Sequence, residues 1–152
     1  LRRSRGLGDV YKRQDICNEN GAEFSVSPME NDLNNKIADY THGNDLDVVI
    51  DFVSSKSSLE LGASILGKGG RLVTLGGSGE QFLANSADML VKELELIGSR
   101  YCTKQELKES LDLYARGLIK PLVSHKTDFN GAEELHNKIE TGDITGRAGI
   151  LI

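Results

Sequence analysis

The residues whose types and spacing could do chemistry centre on glycine. Gly76-Gly77-Ser78-Gly79 follow directly on the apolar run Arg71–Leu75. Glycines at the carboxyl end of a strand let a ligand come close to the backbone, although the same composition also makes a flexible loop. No Lys-Ser/Thr pair follows, which excludes a phosphate-cradling P-loop. Other reactive groups are scattered. His42, His125 and His136 stand at no metal-binding spacing from one another or from a cysteine, and read as solvated or packing residues. Cys17 and Cys102 form no C-x-x-C pair, and Cys102 reads as a small buried apolar residue rather than a nucleophile. Asp51, closing an apolar run, could be an acid or the cap of a turn. Glu93 and Glu95 flank Leu94 near a strand start and read as exposed rather than as paired catalysts.

The glycine cluster needs elements to hold it. Asp47–Gly79 reads as strand, Ser-rich turn, helix, double glycine and second strand, which is a βαβ unit of a parallel sheet. Ligands of open parallel sheets bind at the carboxyl ends of strands, here Phe52–Ser55 and Leu75–Gly79. Leu46–Phe52 is near-continuously apolar, as for a strand covered on both faces. The next helix, about Ser57–Leu66, opens with a Ser57/Glu60 capping box, buries Leu59, Ala63 and Leu66, and stops at Gly69-Gly70. Upstream, a helix tail over Asp15–Asn20 ends at Gly21. A short strand, Ala22–Ser27, precedes Pro28, and a helix spans Asp32–Thr41 with Leu33, Ile37 and Tyr40 on one face. Downstream come a helix over Ala87–Lys92, a strand over Leu94–Gly98 and a helix with a Thr103/Glu106 capping box carrying Leu107, Leu111 and Tyr114 to Gly117. The reading closes with a strand over Ile119–Val123, a helix over Asn130–Thr141 and a strand over Ala148–Ile152.

Composition bounds the function classes. At 152 residues with 38% apolar content, the chain has the size and make-up of a soluble globular domain. No apolar run approaches the about 18 residues of a membrane span, and two cysteines are too few for a disulfide framework, so a cytoplasmic setting is expected. Residues 1–14 hold Arg2, Arg3, Arg5, Lys12 and Arg13 against Asp9; with −5 overall, they carry +4 and the remainder −9. An acidic body argues against nucleic acid as a partner. LRRSRGLGDVYKRQ opens without Met, and its DVYKRQ resembles one reading frame of a transposon-end sequencing adapter, so residues 1–14 are expected to be an artefact. Within it, Gly6-Leu-Gly8-Asp-Val-Tyr11 mimics a G-x-G-x-x-G turn. It lacks a preceding buried strand, and its third glycine position is occupied by the large Tyr11.

Four segments, in order and spanning about 138 residues, resemble the C-terminal part of the zinc-type alcohol dehydrogenases among the medium-chain dehydrogenases/reductases. GAEFSVSP is similar to that family's third Rossmann strand. DVVIDFVSS with LGKGGRLVTLGG is similar to the fourth and fifth, and LELIGSRYCTKQEL to the sixth. ARGLIKPLVSH, a helix and GRAGILI are similar to the closing return into the catalytic domain. The resemblance implies an α/β fold: an incomplete Rossmann-type parallel sheet of the third to sixth strands, plus the C-terminal return segment. It places an NAD(P)-binding part at 15–100 and a catalytic-domain segment at 101–152. By the same resemblance, Phe52 and Val53 would line the adenine side, and Leu75, Gly76 and Gly77 would approach the nicotinamide. Ser99 and Tyr101 would hold the carboxamide through their backbone, and Arg147 would pair with the pyrophosphate.

The departures matter as much. The family's phosphate-gripping G-x-G-x-x-G turn, its first two Rossmann strands, its NAD/NADP-selecting acid and its zinc ligands have no counterpart here. The resemblance therefore implies a truncated gene product whose parent transfers a hydride between an alcohol and NAD or NADP with zinc assistance, as a homodimer or homotetramer. Without two middle strands, Ala22–Ser27 would lack neighbours and Leu46–Phe52 would become an open edge. Alternatives are a zinc-free quinone or enoyl reductase of the same superfamily, a class I methyltransferase fragment, whose usual terminal hairpin does not fit GRAGILI, and a non-catalytic nucleotide-binding module.

Overall fold

The computed structural model describes residues 7–152, with side chains from Arg13 onward. Residues 1–6, which hold three of the leader's arginines and the first glycine of the G-x-G mimic, lie outside the described residues. Residues 8–11 of that mimic fall inside a helix, α1 (Leu7–Glu19), which runs without a break across the boundary at residue 14. The chain divides into two compact units, Val26–Tyr101 and one formed by Cys102–Ile152 with the segment up to Ser25.

The Val26–Tyr101 unit is built on a three-stranded parallel sheet. In chain order it contains α2 (Leu33–Tyr40), β1 (Leu46–Asp51), α3 (Lys56–Ser64), β2 (Leu66–Thr74), α4 (Ser86–Lys92) and β3 (Glu95–Gly98). The strands lie in the order β1-β2-β3, with Asp51 opposite Thr74 and Thr74 opposite Gly98. All three carboxyl ends therefore sit on one side of the sheet. Leu59 of α3 and Leu66 and Leu72 of β2 are the buried core, with Leu46, Val49, Ala63, Phe82 and Leu94 packed against them. Helix and sheet approach closely because α3 carries Gly62. A Cβ there would stand 3.0 Å from Leu72 Cδ1 and 3.1 Å from Val49 Cγ1.

Several expected elements are corrected. Ala22–Ser27 forms no strand, because no described strand lies beside it to take its hydrogen bonds. β1 is the edge strand, as the loss of its neighbours implied, but it is covered on one face only: Val48 and Ile50 are exposed. Helix α3 is capped by Ser55 with Ser58, not by Ser57 with Glu60, and it ends at Ser64. The double glycine lies further on, inside the span of β2, where pairing jumps from Leu46↔Leu66 to Val48↔Arg71. Gly69, at φ +74°, turns this excursion. Leu66 is fully buried, but in the strand rather than in the helix expected to carry it.

The other unit holds α1, α5 (Lys104–Ala115), β4 (Val123–Thr127), a 3-10 turn over Phe129–Gly131, α6 (Ala132–Thr141) and β5 (Arg147–Ile150). The Thr103/Glu106 capping box forms as expected. The strand expected over Ile119–Val123 starts at Val123 instead, since Pro121 has no N–H to give a ladder. β4 and β5 pair in parallel with α6 between them, a second strand–helix–strand unit. Leu135 of α6 is buried. Leu107, Leu111 and Tyr114 of α5 are exposed.

So small a core makes each member count. Leu72→Ala is expected to cost about 2–5 kcal/mol, the usual range for emptying a packed leucine site. Urea unfolding followed by circular dichroism should show this as the loss of the cooperative transition of the Val26–Tyr101 unit.

Candidate functional site

The site is made where β1 and β2 end side by side. Asp51 is the last residue of β1 and is buried at 7% exposure. One carboxylate oxygen accepts from the Val53 N–H at 2.8 Å and the Ser54 N–H at 2.9 Å, and the other from the Ser58 hydroxyl at 2.6 Å. Burial pushes this carboxyl up, but the Ser54 N–H, the Ser58 hydroxyl and the Val53 N–H outweigh it and hold Asp51 below its ordinary value of 3.8. Of its two sequence readings, acid or turn cap, the geometry is that of the cap.

That turn presents Phe52 and Val53 outward, 73% and 66% exposed, and draws Ser54 inward. Ser54 is buried in the left-handed region at φ +55°. Its hydroxyl bonds the Thr74 hydroxyl at the end of β2, and its carbonyl accepts from the Ser78 hydroxyl. The Leu75 N–H donates to the Asp51 carbonyl at 2.9 Å, extending the ladder by one residue.

The glycines of the following loop have distinct reasons. A Cβ on Gly76 would lie 2.5 Å from the Val53 carbonyl group and 2.7 Å from Ser54 Oγ, so only glycine lets β2 pass beneath the β1 turn. A Cβ on Gly77 would meet nothing within 4 Å, which leaves its backbone open. The loop is not free. Glu80 accepts from the Lys56 N–H at 2.7 Å and Glu60 from the Leu83 N–H at 3.2 Å, tying it to α3, while Phe82 packs on the core.

Ser99 and Tyr101 stand beyond β3. The Ser99 N–H closes the ladder on the Thr74 carbonyl at 3.0 Å. Tyr101, at φ +58°, turns the chain and carries Arg100 over its ring at 4.6 Å. The structure thus gathers Phe52, Val53, Leu75, Gly76, Gly77, Ser99 and Tyr101 at one end of one sheet. Arg147 belongs to the other unit; it begins β5, its N–H donates to the Leu122 carbonyl at 2.7 Å, and its side chain is exposed. Sequence reasoning placed Ser54 and Ser78 within the two strand ends but gave neither a role, and it missed Thr74 and Glu80. The Asp-x-x-Ser spacing after an apolar strand, an Asx-turn signature, was the signal available for Ser54.

A family profile for zinc-binding dehydrogenases matches residues 9–116. The chain belongs to the zinc-binding dehydrogenase family. Among its relatives are an NAD-dependent alcohol dehydrogenase of Sulfolobus acidocaldarius, 28% identical over 129 residues (84% of this chain, 36% of the relative). A D-arabinose 1-dehydrogenase (NADP(+)) of Saccharolobus solfataricus is 25% identical over 142 residues (93% and 40%). In fold, the chain is similar to the crystal structure of the alcohol dehydrogenase from Aeropyrum pernix, with a TM-score of 0.81 at 24% identity, covering 91% of this chain and 39% of that one. The chain therefore spans about two fifths of the length of these relatives. The β1–β2–β3 sheet of this zinc-binding dehydrogenase chain is the Rossmann-type part.

Despite the family's name, the residues here do not fit a zinc ion: among the described residues, no three His, Cys, Asp or Glu side chains gather where they could hold a metal. Cys17 and Cys102 are both exposed and unbridged, so Cys102 is not the buried residue expected of it. His136 pairs with Glu140 along α6 at 3.3 Å, and His125 contacts Ser124 at 3.0 Å.

Two measurements check the site's geometry. Gly76→Ala should destabilise the Val26–Tyr101 unit by about 1–3 kcal/mol through overpacking, while Gly77→Ala should stay within about 0.5 kcal/mol of the parent. Paired urea titrations decide this. Because Asp51's value is lowered on folding, its stabilising contribution is complete above about pH 3.8 and lost as the pH falls through the folded value. Asp51→Asn should flatten that acid limb in a plot of melting temperature against pH, with little change in slope above it.

Proposed function

We propose that this chain is part of an NAD(P)-dependent oxidoreductase that moves a hydride between an alcohol carbon and a nicotinamide. The family match over residues 9–116 carries this reading. In it, residues 15–100 belong to the cofactor-binding domain and 101–152 to the catalytic domain. The exposed apolar pair Phe52 and Val53 lines the adenine side. Leu75 offers an apolar wall to the nicotinamide, and the open backbone at Gly77, reached past Gly76, allows its close approach. The Ser99 N–H is already engaged, so Ser99 contributes its carbonyl to the carboxamide and Tyr101 its turned backbone. Arg147, an exposed guanidinium, suits the pyrophosphate.

What the bound nicotinamide supplies is a hydride acceptor or donor; the protein supplies a dry, oriented crevice around it. Zinc assistance in the parent enzyme would rest on ligands from other parts of that enzyme and would supply a Lewis acid there. The substrate is then a small alcohol or carbonyl compound. β3, an edge strand with exposed Leu96 and Ile97, is the surface for assembly into a homodimer or homotetramer.

The described residues supply one side of the crevice, with neither a strand-borne G-x-G-x-x-G turn nor a metal group among them. The chain by itself is therefore expected to form no NADH or NADPH from any alcohol. The test is titration with NADH, followed by two-dimensional amide NMR. Shifts at residues 52–54, 75–77 and 99–101, with or without Arg147, support the reading, and shifts that leave those three segments untouched, or none at all, overturn it. Turnover by a polypeptide extended with the upstream genomic sequence would separate an enzyme part from a non-catalytic nucleotide-binding module. Alcohol-dependent NADH formation by the present chain would sink the expectation of inactivity.

A further inference from the structure

Ser54 is a non-glycine residue held buried in a conformation that disfavours side chains, at φ +55°. Such an outlier persists only where its surroundings over-determine it, and it points to a demand beyond local stability. Here every polar group of Ser54 is engaged. Its N–H reaches Asp51 at 2.9 Å, its hydroxyl reaches Thr74 on the neighbouring strand, and its carbonyl receives the Ser78 hydroxyl from the glycine loop. Its Oγ also stands against Gly76, 2.7 Å from where a Cβ would be. Gly76 stands against Val53 as well, a Cβ there lying 2.5 Å from the Val53 carbonyl group, so the β1 turn and the glycine loop meet at Val53 and Ser54. No other described residue bonds the β1 turn, the end of β2 and the glycine loop at once.

We infer that Ser54, through its hydroxyl pair with Thr74, is a positioning residue that sets the spacing between the β1 turn and the glycine loop, on the side of the crevice these residues supply, and so tunes nicotinamide-cofactor affinity. The inference rests on the cofactor reading above. Glycine at position 54 relaxes φ but removes the hydroxyl; alanine removes the hydroxyl and keeps the strain. Ser54→Gly should therefore melt above Ser54→Ala, yet both should weaken NADH binding alike, by about 3- to 10-fold, the worth of one net hydrogen bond.

Thr74→Val should reproduce this loss without touching the strained backbone, and Thr74→Ser should restore parental affinity. In the unliganded chain, the Gly76 and Gly77 amide resonances should move in Ser54→Gly, Ser54→Ala and Thr74→Val, and stay in place in Thr74→Ser. The measurements are NADH fluorescence titration, thermal melting and amide NMR on the full chain. Affinity that follows melting temperature, with Ser54→Gly recovering the parental value, would overturn the inference, as would unmoved Gly76 and Gly77 resonances in Thr74→Val. If the parent chain binds no NADH, the cofactor reading fails. The amide shifts of the unliganded variants then still decide whether the hydroxyl pair positions the glycine loop.

Discussion

A buried negative charge must be satisfied or neutralised, and the way Asp51 is satisfied governs the rest of the Val26–Tyr101 unit. The carboxylate ends an apolar strand, out of water, and holds its charge because three donors converge on it. Two of those donors are successive backbone amides, so satisfying them bends the chain immediately after β1. The third is the hydroxyl of Ser58, in the first turn of α3, so the same charge fixes where the helix begins. Strand end, turn and helix start are one electrostatic unit. The Ser54 and Ser78 hydroxyls carry that constraint to β2 and to the glycine loop.

The sheet that bears this unit is short of partners. β1 and β3 are both edges, and apolar residues on β1 (Val48, Ile50) and on β3 (Leu96, Ile97) are exposed. Among the described residues, the largest fully buried side chains are Leu66 and Leu72, which is a small hydrophobic return for ordering a sheet and three helices. Exposed edges are ready templates for pairing with another strand. Arg71 with Glu95 and Lys68 with Glu93 place charge beside the β2–β3 seam, but these pairs are exposed and worth little to stability.

How much was legible in sequence depended on how local the deciding force is. Capped helices were readable: Thr103 with Glu106 names its own helix start, and Gly21, Gly117 and Gly142 mark ends where φ is positive. The βαβ unit was readable too, because apolar strands, a helix between them and a terminal glycine cluster each have a local signature. Two overlapping patterns near α3 were not separable by local rules. Ser55/Ser58 and Ser57/Glu60 both satisfy a capping box, and Asp51, seven residues before Ser58, chose between them. Likewise, the strand after Pro121 could be placed only by its partner, since Val123 pairs with Arg147 across the length of α6.

By itself, then, the sequence determined the class of the fold and, apart from the strand expected over Ala22–Ser27, the order of its elements. These follow from hydrophobic period, capping chemistry and glycine placement, all of which act over a few residues. Only the tertiary structure decided why Gly76 must be glycine, why Ser54 is held at positive φ and which serine caps α3. Each of those depends on an atom from a neighbouring strand or turn arriving within a few ångströms, and such meetings are set by strand register and packing.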